Sequence, residues 1–119
     1  MLLNLSVPRI NDYMAAAIVE WVYPGEGAAL EVGAKLVDLT VDLSAAAPHD
    51  CPPISHFRLV LRERAYLRRL AAVRREEHAV GALLAVFSTE PDEPIESEAG
   101  RPVRIAVAQI IYQPVWDGC

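Results

Sequence analysis

Short apolar runs separated by prolines and glycines dominate the pattern of the chain. Residues 35–41 alternate apolar and polar side chains, as expected of a half-buried strand. Residues 17–22 form a second such run, rich in β-branched and aromatic side chains. Many short strands with frequent turns are typical of a small sandwich or barrel. The first forty residues therefore predict an all-β fold.

Residues 57–78 carry two conflicting signals. Their strong helix formers and their apolar spacing favour a helix. An internal repeat favours strands: aligning Gly33 with Gly81 places residues 17–39 on residues 65–87 without a gap. The identical pairs are Ala17/Ala65, Val32/Val80, Gly33/Gly81, Ala34/Ala82 and Leu36/Leu84. If the two halves share a fold, residues 65–87 form strand, turn and strand, and the helix is the alternative.

The N-terminal half carries three segments with a recognisable pattern. Residues 7–14 (VPRINDYM) are similar to an opening "MPxLGDxM", residues 17–21 (AIVEW) to "GxIVEW", and residues 24–33 to "KEGDxVxxGdxL" with a Pro-Gly departure. The chain thus resembles the lipoyl domains of 2-oxo acid dehydrogenase acyltransferases and the related biotinyl carriers. This resemblance implies a flattened β-barrel of two four-stranded sheets, related by a pseudo-twofold axis, over a domain spanning residues 1–89.

The residue that carries the prosthetic group in that family is missing. The family's hairpin "AEIETDKA" contains the lysine that is acylated, and here Asp42 matches its aspartate while Leu43 stands at the position of the lysine. Leucine offers no nucleophile. The one lysine of the chain, Lys35, falls before the strand that leads into this hairpin, which is the wrong place for attachment. We therefore expect neither lipoyl nor biotinyl attachment and no cofactor.

The hairpin loop, residues 43–56, is longer than the family needs and contains the candidate chemistry. In one hypothesis Cys51 is a covalent carrier thiol whose pKa is lowered by His49 or His56. In another, His49, Cys51 and His56 bind a metal with Asp50 as a fourth ligand, although the spacing H-x-C-x4-H fits no strong zinc motif.

A third hypothesis makes the same loop a recognition surface. Its prolines restrict the backbone and so lower the cost of ordering it against a partner; they are Pro48, Pro52 and Pro53. The sequence contains neither a G-x-S-x-G setting nor a phosphate-binding glycine loop. We therefore expect a non-catalytic module that docks to enzymes of a multi-component pathway, with the Cys51 carrier as the alternative.

The C-terminal part follows an acidic, proline-bearing linker at residues 90–101. Residues 102–119 contain an alternating apolar segment and a tail. A strand over residues 103–112 would either add to the sheet of this domain or pair with a partner or a second copy, giving a homo-oligomer.

Composition narrows the class of protein. Sixteen acidic against eleven basic residues give a net charge of -5, which disfavours nucleic acid or an anionic membrane as the main partner. The chain has no apolar run of membrane-spanning length and no signal-like start. Two cysteines, Cys51 and Cys119, cannot form a disulfide framework. These features predict a cytoplasmic protein.

Overall fold

A computed structural model describes residues 1–10, 14–42, 54–94 and 100–110. The predicted all-β class is confirmed, since these residues contain ten strands and no helix. The strands are β1 (Leu2–Ser6), β2 (Ala16–Val22), β3 (Ala29–Leu30), β4 (Lys35–Asp42), β5 (Ile54–Leu61), β6 (Ala65–Leu70), β7 (Glu77–Ala79), β8 (Leu83–Ser88), β9 (Arg101–Pro102) and β10 (Ile105–Ile110).

The strands form two five-stranded sheets rather than the two four-stranded sheets that we predicted. Their orders are β3-β6-β8-β1-β9 and β10-β5-β4-β2-β7. The difference arises because β9 and β10, which follow the predicted domain of residues 1–89, add one edge strand to each sheet. The predicted closed barrel is not found either: within the described residues each sheet keeps two open edges, because no strand ladder joins one sheet to the other.

The backbone repeats in the alignment of Gly33 with Gly81 that the sequence indicates. The β2–β4 ladder pairs Ile18 with Thr40 and contains a bulge after Val19. The β6–β8 ladder pairs the equivalent residues, Tyr66 and Ser88, and contains its bulge after Leu67. Left-handed backbone recurs in the same way, at Gly27 and Arg75 and at Gly33 and Gly81. The strand–turn–strand prediction for residues 65–87 is confirmed, and the alternative helix over residues 57–78 is wrong.

The repeat continues beyond the segment that sequence identities reveal, into β1 and β5. Leu3 pairs with Phe87 as Phe57 pairs with Leu39, so β1 and β5 are equivalent strands of the two halves. The register bulge recurs as well, near Ser6 in one ladder and near Val60 in the other. A gapless alignment does not reach these strands, because the connection from β1 to β2 is longer than the connection from β5 to β6.

The core lies between the two sheets. It is built from aliphatic side chains on the facing sides of the strands, with Leu39 and Phe87 at equivalent positions of the two halves and essentially inaccessible to solvent. Other core residues are Leu3, Leu5, Val19, Leu36, Val41, Leu59, Leu61, Leu67 and Leu84. Because both sheets contribute side chains to this core, β4 and β5 belong to one rigidly packed body.

The chain after β8 is tied to the first sheet. Arg68 donates a hydrogen bond of 2.6 Å to the backbone oxygen of Glu93. Further on, the Gly100 N–H donates to the Leu2 carbonyl at 2.8 Å, and β9 runs parallel to β1. The strand predicted over residues 103–112 is β10, which adds to this domain's own sheet by pairing with β5; residues 111–119 lie outside the described residues.

Candidate functional site

The arms of the predicted docking loop are β4 and β5, which pair from Lys35 and Val60 to Asp42 and Ile54. Asp42 is exposed at the end of β4, and His56 lies on β5 opposite Thr40. The other predicted residues, Leu43, His49, Asp50 and Cys51, lie outside the described residues. In the part of the chain that is described, no three His, Cys, Asp or Glu side chains group as a metal site.

His56 belongs to a hydrogen-bonded row on the outer face of the sheet, the face turned away from the core. The Thr40 hydroxyl lies 2.9 Å from Glu20 Oε1 and 3.0 Å from His56 Nδ1. Because a hydroxyl has one proton and the carboxylate of Glu20 can only accept, we assign the hydroxyl proton to Glu20 and a donating N–H to His56 Nδ1. This arrangement fixes the orientation of the imidazole against the sheet.

A second network lies one step further from the loop on the same face. Asp38 is 6% exposed and accepts three hydrogen bonds: from Tyr23 Oη at 2.6 Å and from Arg58 Nε and Nη2 at 2.8 and 3.3 Å. The hydrogen bond to Asp38 raises the pKa of the Tyr23 hydroxyl above its ordinary value, and the same carboxylate raises the pKa of Arg58. The network joins β4 and β5 to Tyr23, the residue that follows β2, so it stiffens the arms of the loop.

Two exposed aromatic rings on this face, that of Tyr23 in the network and that of Trp21 beside it, contact cationic side chains. Trp21 is 44% and Tyr23 38% exposed. The guanidinium carbon of Arg74 lies 4.1 Å from the Trp21 ring centroid, and Arg58 and Lys35 lie 5.5 and 5.7 Å from the centroid of Tyr23. We call these five residues the aromatic strip. Trp, Tyr and Arg are the residues most enriched among the energetic centres of protein interfaces.

Sequence reasoning missed the aromatic strip and the two networks. The position of Trp21 depends on the β-bulge after Val19, which lets Glu20 and Trp21 both serve the outer face although they are sequence neighbours. The sequence gives little signal for the second network, because Asp38 and Thr40 alternate with apolar residues as the polar positions of a half-buried strand do. That the Asp38 carboxylate needs partners follows only from its burial in the structure. Nothing in the sequence named Tyr23 and Arg58 as those partners.

The described surface also contains a shallow cavity of about 320 Å³, on the other sheet. It contains no residue that the sequence analysis proposed as a site. Its ion pair, Glu31 with Arg64 at 3.1 Å, is largely exposed on both sides. The remaining lining residues are Ala29, Leu30, Ala65, Tyr66 and Thr89. The cavity therefore lacks the buried polar groups that orient a small ligand.

Comparison with known proteins adds no relative. No family model matches the chain, and no curated protein and no solved structure was found to be similar to it. Among the described residues there is also no helix long and apolar enough to cross a membrane. The geometry of the two sheets and of the outer face is therefore the basis for a functional assignment.

Proposed function

We propose that this protein is a non-catalytic docking module of lipoyl/biotinyl-like architecture that binds a protein partner through residues 43–56 and the adjoining outer face. The recurrence of ladders, bulges and left-handed positions in the two halves supports that architecture. Without β9 and β10 each sheet has four strands, which is the number that the family resemblance implies.

The observation that carries the proposal is the support given to the two ends of the loop. β4 and β5 are interior strands of their sheet, held by β2 on one side and by β10 on the other. A loop that begins and ends on such strands has its end positions fixed before it meets a partner, and its three prolines reduce the remaining freedom. Binding through this loop therefore costs less conformational entropy than binding through a free chain.

The aromatic strip extends the same surface. Asp38, beside the strip, is four residues from Asp42 along β4, a distance of about 13 Å. A standard interface covers about 800 Å² on each partner, which is enough to include both the loop and the strip. The exposed rings of Trp21 and Tyr23 supply apolar area with little rotamer entropy to lose, so they favour a protein partner over a small ligand.

The polar groups of the outer face support a structural rather than a catalytic role. Thr40 is 8% exposed and its hydroxyl is bound to Glu20 and His56, so it is poorly placed as a nucleophile. Asp38 has its carboxylate occupied by Tyr23 and Arg58. Both networks therefore serve to hold the surface rigid.

The test begins with a photo-crosslinking side chain at Ile54, beside the loop, and a matched one at Glu31, on the other sheet. Both positions are exposed. In the protein's own cells, we expect Ile54 and not Glu31 to yield a discrete crosslinked partner. Equal crosslinking from both positions would contradict a localised surface.

The partner, once purified, is then titrated with three variants. Replacing residues 43–53 by an equally long Gly/Ser segment or making Trp21→Ala should weaken binding by about tenfold or more. Cys51→Ala should bind as the natural chain does. Unchanged affinity after loop replacement would refute the docking function, and a covalent adduct on Cys51 in the intact mass would replace it by the carrier alternative.

A further inference from the structure

The edge strand β10 differs from the other three sheet edges. β3 and β9 are two residues long and β9 contains Pro102, while β7 has three residues and includes Glu77. Short length, proline and charge are the features that prevent an edge from pairing with another strand. β10 has six residues, IAVAQI, with no charge and no proline, and its register with β5 has no bulge. It is the one edge in the described part of the chain that is built to accept a further strand.

The backbone groups that β10 presents outward can be assigned from its register. The Arg62 N–H donates to the Arg104 carbonyl at 2.9 Å, so Arg62 and Arg104 face each other just before the strand, whereas the N–H and C=O of Leu61 bond the chain just before β4. Because bonded and non-bonded pairs alternate in an antiparallel ladder, Ala106 and Ala108 bond β5 as well. The N–H and C=O groups of the residues between them, including Val107, therefore point to the open edge.

We propose that the outer edge of β10 pairs with β10 of a second copy of this chain, antiparallel and about a twofold axis at Val107. In this register Val107 faces its own counterpart, and Ile105 faces Gln109. Three bonded pairs then form, at the residues whose groups point outward. The β10-containing sheet of one copy then joins the same sheet of the other copy, and together they form one continuous ten-stranded sheet. In such an interface both subunits use the same surface.

The choice of a second copy rests on charge and side-chain complementarity. The chain has a net charge of -5, so two copies can approach closely only where carboxylates are absent. β10 itself contains no carboxylate, and the carboxylate at its start, that of Glu63, is paired with Arg101. The twofold register brings Arg104 opposite Ile110 rather than opposite another cation. Val107 is 41% exposed and lies opposite Leu59 of β5, on the core side of the sheet. Pairing would cover it with the partner's valine and extend the core across the interface.

The first test is the mass of the full chain in solution as its concentration rises. Sedimentation equilibrium should change from the 13.1 kDa monomer to about 26 kDa. Val107→Lys places two cations opposite each other at the twofold axis and should raise the dissociation constant about a hundredfold or more. A natural chain that stays monomeric, or a Val107→Lys variant that folds by circular dichroism and still dimerises, would overturn the proposal.

The second test reads the register directly, in a background with both natural cysteines changed to serine. Opposed residues of a bonded pair have Cα atoms about 5.5 Å apart, within disulfide range. Val107→Cys should therefore oxidise to a covalent dimer. Ala106→Cys is the matched control, because residue 106 faces residue 108 and its own copy lies diagonally, about 8 Å away. Crosslinking at residue 106 instead of residue 107 would refute the twofold register.

Discussion

Glu63 holds the chain where β9 leads into β10. Its carboxylate accepts hydrogen bonds from Arg101 Nη1 and Nη2, at 2.8 and 2.6 Å, and from the backbone N–H of Arg104 at 2.7 Å. The hydrogen bonds from Arg101, helped by that backbone N–H, lower the pKa of Glu63 from 4.5 to about 2. Glu63→Gln keeps the shape of the side chain but removes the charge and one acceptor oxygen, so it tests what the ion pair contributes.

The expected loss of stability follows from the burial of the pair. The side chain of Glu63 is 16% exposed and that of Arg101 32%. Hydrogen bonds to charged groups contribute about 1.5–3 kcal/mol when buried, and exposed ion pairs less than about 1 kcal/mol. Because water still screens the arginine, we expect Glu63→Gln to lower the free energy of unfolding by about 1–2 kcal/mol at pH 7. Urea denaturation followed by circular dichroism measures this.

The pH dependence separates an ion pair from mere packing. The folded-state pKa of Glu63 is depressed, so its stabilisation is fully present above the unfolded value and is lost as the pH falls from 4.5 towards about 2. The difference in unfolding free energy between natural chain and variant should therefore shrink over this range. Glu31→Gln is the control, because Glu31 and its partner Arg64 are 71% and 74% exposed, and it should change little at any pH. A difference that is the same at pH 7 and pH 2.5 would refute the reasoning.

Four further substitutions test the core, the repeat and the outer-face network. Leu39→Ala removes a fully buried core side chain and should lower the free energy of unfolding by about 2–5 kcal/mol in urea; a loss below about 1 kcal/mol would contradict the core assignment. Gly33→Ala forces a side chain onto a backbone with φ of 95° and should lower the thermal midpoint, whereas Arg75→Gly, at φ 73°, should leave it unchanged or raise it. Asp38→Asn removes the carboxylate to which the Tyr23 hydroxyl donates, so the pKa of Tyr23 should fall in an ultraviolet titration. An unchanged Tyr23 pKa would show that this hydrogen bond does not raise it.

Most parts of the fold that the sequence predicts correctly are those where the same pattern of residues occurs in both halves of the chain. The pair Gly33 and Gly81 is visible in the sequence, and both glycines adopt left-handed backbone at equivalent turns. The helix signal over residues 57–78 is stronger locally, but those residues pair with β4, β8 and β10, and helix propensity is a weak preference beside such pairing. The fifth strand of one sheet, β10, is predicted by the alternating apolar residues of the segment 103–112, whereas the fifth strand of the other sheet, β9, could not be predicted, because a two-residue strand has no periodicity.

The sequence predicts only those residues of the candidate site that are close to one another along the chain. Asp42 and His56 are identified because they lie directly before and at the end of the predicted loop 43–56, although the structure places His56 in β5. The Tyr23–Asp38–Arg58 network joins β4 and β5 to the residue that follows β2. Its assembly depends on the register between these three strands and on the bulge beside Trp21. A change of one residue in that register would move Asp38 or its partners to the opposite face.

The two halves of the molecule have the same backbone geometry but different connectivity. The β4–β5 ladder is a hairpin, because only the short segment between Asp42 and Ile54 connects its two strands. The equivalent ladder of the other half pairs β1 with β8, Leu2 with Ser88, and six strands lie between them along the chain. Closing the longer loop costs about 2 kcal/mol more chain entropy. We therefore expect partial unfolding to release β1 more readily than it opens the β4–β5 hairpin. The end of the molecule that carries the loop is the one whose geometry survives such local opening.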